Sequence, residues 1–134
     1  MKTKSTDTVR NWKAKLDILF AHYIKKRDSI NGRGQCVTCG EIFSVGDLDA
    51  GHFRPRQYNA TRFDEMNVQP QCRKCNRFSQ GEQWKFGNHL DEKYGNGTSL
   101  KLIEKSHQIK KFTVSELKDL YGYYQNKIKE IEEE

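Results

Sequence analysis

No stretch of this 134-residue chain approaches the run of about 18–20 apolar residues that a membrane span needs. The first apolar run comes after residue 15 and is broken by charge, so no signal peptide is expected and the reading is a cytoplasmic protein. Hydrophobic residues are scarce at 34%, against 31% charged, which is polar for a compact fold. One modest core is therefore expected, with help from something other than apolar burial. Internal repeats and low-complexity segments are lacking, and 1–134 reads as a single domain. Cysteine is limited to four residues.

Those four carry the strongest signal. Cys36-Val37-Thr38-Cys39 and Cys72-Arg73-Lys74-Cys75 are two CxxC turns with 32 residues between them. Each turn presents two thiolates, and two facing turns complete the tetrahedral set of a structural zinc site. In a chain of this type the spacing favours metal over disulfides. The expected cofactor is structural Zn²⁺ on Cys36, Cys39, Cys72 and Cys75, supplying folding energy that a thin core cannot.

The charge is uneven. Net charge is +6, and the first 35 residues carry nine Lys/Arg against three Asp/Glu. Such a basic segment favours a polyanion, nucleic acid before membrane. A solvated basic helix would have the same composition.

Residues 6–28 show apolar residues at helical spacing (Val9, Trp12, Leu16, Leu19, Phe20, Tyr23), with Thr6 or Thr8 as cap and Asn31-Gly32-Arg33-Gly34 as terminator. Residues 35–53 read as a β-hairpin turning at Ser44-Val45-Gly46-Asp47, followed by irregular chain through Pro55 and a helical turn over Arg62–Met66. Beyond the second CxxC, Asn76 opens a short helix that breaks at Gly81. Glu82–Tyr94 is a further helix with Trp84, Leu90 and Tyr94 inward. Ser99 caps another, with Leu100 and Ile103 inward, and Thr113-Val114-Ser115-Glu116 is a capping box opening the last, ahead of the acidic Glu132–Glu134 end. His22, His89 and His107 have no partner at ligand spacing and read as surface or packing residues.

Between and just after the cysteine pairs stand His52, Asn67 and Asn76, the order found in HNH nucleases. In that chemistry His52 would be the general base, since imidazole is neutral near pH 7 and can take a proton from water. Asn76, fixed beside Cys75, could offer its amide oxygen to a hard cation such as Mg²⁺ or Mn²⁺. It also suits a helix N-cap, and both roles fit one loop-to-helix junction. Asn67 would hydrogen-bond backbone across the loop and orient His52.

Asp49-Ala50-Gly51-His52-Phe53, Thr61-Arg62-Phe63, Asn67 and Gln71-Cys72-Arg73-Lys74-Cys75-Asn76 resemble the NinG (Rap) family of lambdoid phage recombination nucleases, over roughly residues 30–95. The resemblance implies an α+β fold with a zinc-stabilised ββα-metal (HNH) core over 36–80. A basic N-terminal helix (1–35) and a helical C-terminal part (81–134) would flank it. It implies a metal-dependent endonuclease acting on branched double-stranded DNA, Holliday junctions and D-loops among them, in a host bacterial cell. A homodimer follows from symmetric junction cutting. Many HNH enzymes place an aspartate directly before the base histidine; here that residue is Gly51. Asp49 lies on the same strand face, about 6.6 Å further along at roughly 3.3 Å per residue, and is the first choice for the acidic metal ligand. Arg54, Arg56, Arg62, Arg73, Lys74 and Arg77, with Lys13, Lys25, Lys26 and Arg27, are the candidate phosphate contacts. The rival expectation is a zinc-knuckle module that holds branched DNA, or recruits a recombinase, without cutting it.

Overall fold

A computed structural model describes residues 7–78 and 82–133. Its first helix, α1 (Val9–Arg27), starts where Thr8 Oγ1 accepts the Asn11 amide at 3.1 Å. Thr6, the other expected cap, and Gly81, the expected break, lie outside the described residues, as does Glu134. Leu16, Phe20, Tyr23 and Ile24 form the buried stripe of α1.

The helix ends at Asp28, before the expected Asn31–Gly34 stop. Asn31 (φ 52°) and Gly32 (φ 74°) are instead the two-residue turn joining β1 (Ser29–Ile30) to β2 (Arg33–Gln35). Two consecutive positive-φ residues match the twist of a tight hairpin, and Asn-Gly is the pair that tolerates them.

The hairpin expected over 35–53 does not form. β3 (Ile42–Ser44) pairs back onto β2, with Gly34 opposite Phe43. A 3-10 turn, Val45–Asp47, then swings the chain into β4 (Leu48–His52), whose partner is the distant β5 (Val68–Cys72). All five residues of β5 are buried, whereas Ile42 of β3 is 53% exposed, so burial favours the long-range partner. The register runs from Leu48 opposite Cys72 to His52 opposite Val68. One end of this ribbon therefore carries a cysteine and the other the histidine.

The next turn of helix is α2 (Asn59–Arg62), upstream of the expected 62–66, and Lys74–Phe78 is a π-helical turn with Asn76 inside it rather than at its start. Then come α3 (Gln83–Tyr94), α4 (Thr98–Ser106) and α5 (Val114–Glu132). The Thr113/Glu116 capping box opens α5 as expected. In α3 the inward aromatic is Phe86, fully buried with Leu90, while Trp84 and Tyr94 face outward. In α4, Leu102 is buried and Leu100 exposed; Ser99 lies within the helix, its amide and hydroxyl held by Asp91. Tertiary contact overrides local spacing in these short helices.

Two apolar clusters flank the ribbon. Leu16, Phe20, Tyr23 and Ile24 of α1 pack with Leu117, Tyr124 and Ile128 of α5 and with Val68. Phe53 packs with Phe86, Leu90 and Leu102. Among the described residues no helix is long and apolar enough to cross a membrane.

Candidate functional site

The sulfurs of Cys36, Cys39, Cys72 and Cys75 all lie within 4.8 Å of one another, and those of Cys39 and Cys72 are 4.0 Å apart. Four sulfurs about 2.3 Å from one central ion would be about 3.8 Å apart, so the set fits a tetrahedral metal. The two turns are built alike. The Cys39 amide approaches Cys36 Sγ at 3.5 Å and the Cys75 amide approaches Cys72 Sγ at 3.4 Å, each donating to a sulfur. At Cys36, burial raises the thiol, but hydrogen bonding from Thr38 and the Cys39 amide outweighs it and lowers the group to about 6. Burial, with the adjacent Cys36 and Cys72 sulfurs, pushes Cys39 up to about 12. Four such sulfurs ionise together only around a cation, and this cluster can hold a zinc ion.

His52 ends β4 and is only partly exposed. Its Nε2 lies 3.1 Å from the Arg62 carbonyl oxygen. A carbonyl can only accept, so the neutral ring carries its proton on Nε2 and Nδ1 is the basic nitrogen. Burial lowers the imidazole to about 4, with a smaller contribution from the Arg56 charge, and the ring is neutral at pH 7.

Asn67 is fully buried at the turn into β5. Its Nδ2 donates to the carbonyls of Arg54 (3.0 Å) and Thr61 (3.1 Å), and its Oδ1 accepts the Arg54 amide at 2.8 Å. The Asn67 carbonyl accepts the Phe53 amide at 2.8 Å. One side chain thus ties the chain just after His52 to the chain just before Arg62, which supplies the carbonyl on His52.

An open cleft of about 600 Å³ is lined by His52, Asp49, Asn76, Arg77, Arg56 and Asp17, among others. Asn76 Nδ2 donates to Asp49 Oδ2 at 3.0 Å, leaving its amide oxygen for any further partner. Arg77 grips the same carboxylate with Nε on Oδ2 and Nη2 on Oδ1, both at 3.0 Å. At Gly51 a Cβ would meet the Gln71 side chain at 2.1 Å. Because Gln71 is itself fully buried, position 51 has no room for an aspartate, and Asp49 is the carboxylate of this strand that lines the cleft.

The basic residues divide by what they touch. Arg62 makes a two-point pair with Asp17 and donates to the Arg56 carbonyl; Arg27 pairs with Asp28 and donates to the carbonyls of Glu65 and Val68. These two hold elements together. Arg54 donates to Ser106 and stacks on Tyr58. Lys13 donates to Asn59, Lys26 pairs with Glu132, and Arg73 reaches the Gly46 carbonyl and Asp47. Arg56 is 62% exposed at the cleft, its carboxylate partner Asp17 3.8 Å away, and Lys25 and Lys74 make no ion pair with any described residue. Asp17 was not expected at the site. The sole acid of α1, among six basic residues, was the one sequence signal for it.

The family model described as "Bacteriophage Lambda NinG protein" matches residues 1–134. Among curated proteins, "Protein ninG" of Salmonella phage P22 is 33% identical over 97 residues, which is 72% of this chain and 47% of that protein. "Protein ninG" of Escherichia phage 933W and of Escherichia phage lambda are 32% and 31% identical over the same length and shares. The chain thus spans about half the length of the curated relatives it matches. No solved structure matches it.

Proposed function

The chain belongs to the NinG family, and from that premise we propose that it is a metal-dependent endonuclease of the HNH type, acting on branched double-stranded DNA such as Holliday junctions and D-loops. The observation that carries the reading is that His52, Asp49 and Asn76 line one cleft, with Asn76 directly following Cys75 of the four-sulfur site.

The Asp49 carboxylate and Asn76 amide oxygen are hard donors of the kind Mg²⁺ or Mn²⁺ takes. A cation held by them would polarise the phosphoryl oxygen and stabilise the leaving 3′ oxygen. His52 Nδ1 takes a proton from water as the water oxygen bonds to phosphorus and the bond to the 3′ oxygen breaks. Burial keeps the ring neutral but also makes it a weak base. The negative charge of a bound phosphate acts in the opposite direction and raises its basicity during the reaction. Asn67 and the Arg62 carbonyl hold the ring's position and its tautomer. Arg56, exposed at the cleft, is the phosphate contact best placed to help, and two copies of the chain would serve the two strands of a symmetric junction.

The test is incubation of zinc-loaded protein with a four-way junction and a matched linear duplex, in Mg²⁺ or EDTA. Metal-dependent nicks confined to the junction are expected, reduced on the order of 10²–10⁴-fold by His52→Ala. Junction binding without nicks in any divalent metal would instead identify a non-catalytic zinc-knuckle binder.

A further inference from the structure

We propose that Arg77 is the resident counter-ion of Asp49, and that a divalent cation enters the cleft by displacing it. The inference rests on the nuclease reading and adds to it the control of cation affinity. Both Asp49 oxygens are occupied by the forked guanidinium, and Asn76 adds a third donor to Oδ2. Asp49's side chain is only 17% exposed, so its charge needs a partner whenever the cleft holds no other cation; Arg73 Nε stands 3.9 Å from Oδ1, beyond hydrogen-bond distance, and Arg77 makes the direct contact. Two cations on that carboxylate repel each other, so the presence of one weakens the hold on the other.

A second forked pair in the same cleft shows why Arg77 is the one that leaves. Arg62 also grips a carboxylate, that of Asp17, but its side chain is 15% exposed and also donates to the Arg56 carbonyl. The Arg77 side chain is 58% exposed and bonds to Asp49 alone among the described residues. It can swing into solvent without breaking another hydrogen bond or ion pair to a described residue. Its backbone, one residue after Asn76 in the π-helical turn, stays beside the cleft. A displaced guanidinium is then free for a phosphate oxygen, the ligand its geometry suits. Cation entry and phosphate capture become a single exchange.

The test is Mn²⁺ titration of zinc-loaded protein, reading free Mn²⁺ by electron paramagnetic resonance with no DNA present. Arg77→Gln is expected to tighten Mn²⁺ binding on the order of five-fold. Arg77→Lys, which keeps the charge but loses the fork, should fall between, and Asp49→Asn should abolish binding in either background. Asp49-dependent binding that neither Arg77 variant strengthens would overturn the proposal and leave the nuclease reading intact. Binding that Asp49→Asn leaves unchanged would overturn both.

Discussion

His52 shows how much one ring nitrogen can be asked to do. Burial takes its titration from 6.5 down to about 4. Between those values the unfolded chain binds a proton that the folded chain does not. The stability linked to this group is therefore complete above pH 6.5 and is lost as pH falls toward 4, about 3 kcal/mol in all at 1.36 kcal/mol per unit. Urea unfolding at a series of pH values should show that loss in the wild type and a flatter profile in His52→Gln. Equal slopes would mean the ring is not desolvated. At this scale the sequence was informative about identity and poor about partnership. The grouping of the four cysteines, and the meeting of His52 and Asn76 at one cleft, were legible because spacing carries them. The inward turn of Arg27 and Arg62 was not, because the groups that bind them come from elsewhere in the chain.

Among the elements, the β4–β5 ribbon decides the site, and it is where reading along the chain misleads most. Proximity in sequence favoured pairing 42–44 with 48–52, but a strand takes the partner that buries most, and that partner lies past Asn67. The helices with long apolar stripes, α1 and α5, were legible almost to their ends. In the short α3 and α4 the inward positions lie two residues further on, at Phe86 and Leu102 in place of Trp84 and Leu100. Asn67 is the clamp on the ribbon's far end. Removing its side chain leaves two carbonyls and one amide without their partner, so Asn67→Ala should cost about 2–3 kcal/mol. Nitrogen chemical shifts of His52 in the same variant are expected to lose the Nε2-protonated signature. A variant that loses stability but keeps that tautomer would confine Asn67 to folding.

For the molecule as a whole, the basic surplus is smaller in effect than the composition suggests, since much of it is spent on internal ion pairs. Among the expected phosphate contacts, Lys25 and Lys74 are the two that make neither an ion pair nor a side-chain hydrogen bond with a described residue. Removing both should weaken DNA binding and reduce the slope of log affinity against log salt by about one to two. Arg62→Ala should instead lower the thermal midpoint. Fluorescence anisotropy on a labelled junction at several salt concentrations, beside calorimetry, separates the two. A slope unchanged in the double lysine variant would move the DNA path to another face.

Of the four sulfurs, only that of Cys39 belongs to an exposed residue. A competing thiol or chelator therefore meets that arm first, and ion release begins with three ligands still closed around the metal. The Cys72–Cys75 loop, on which Asn76 is mounted, has both its cysteines buried. A partly stripped sample should therefore recover when the ion is restored.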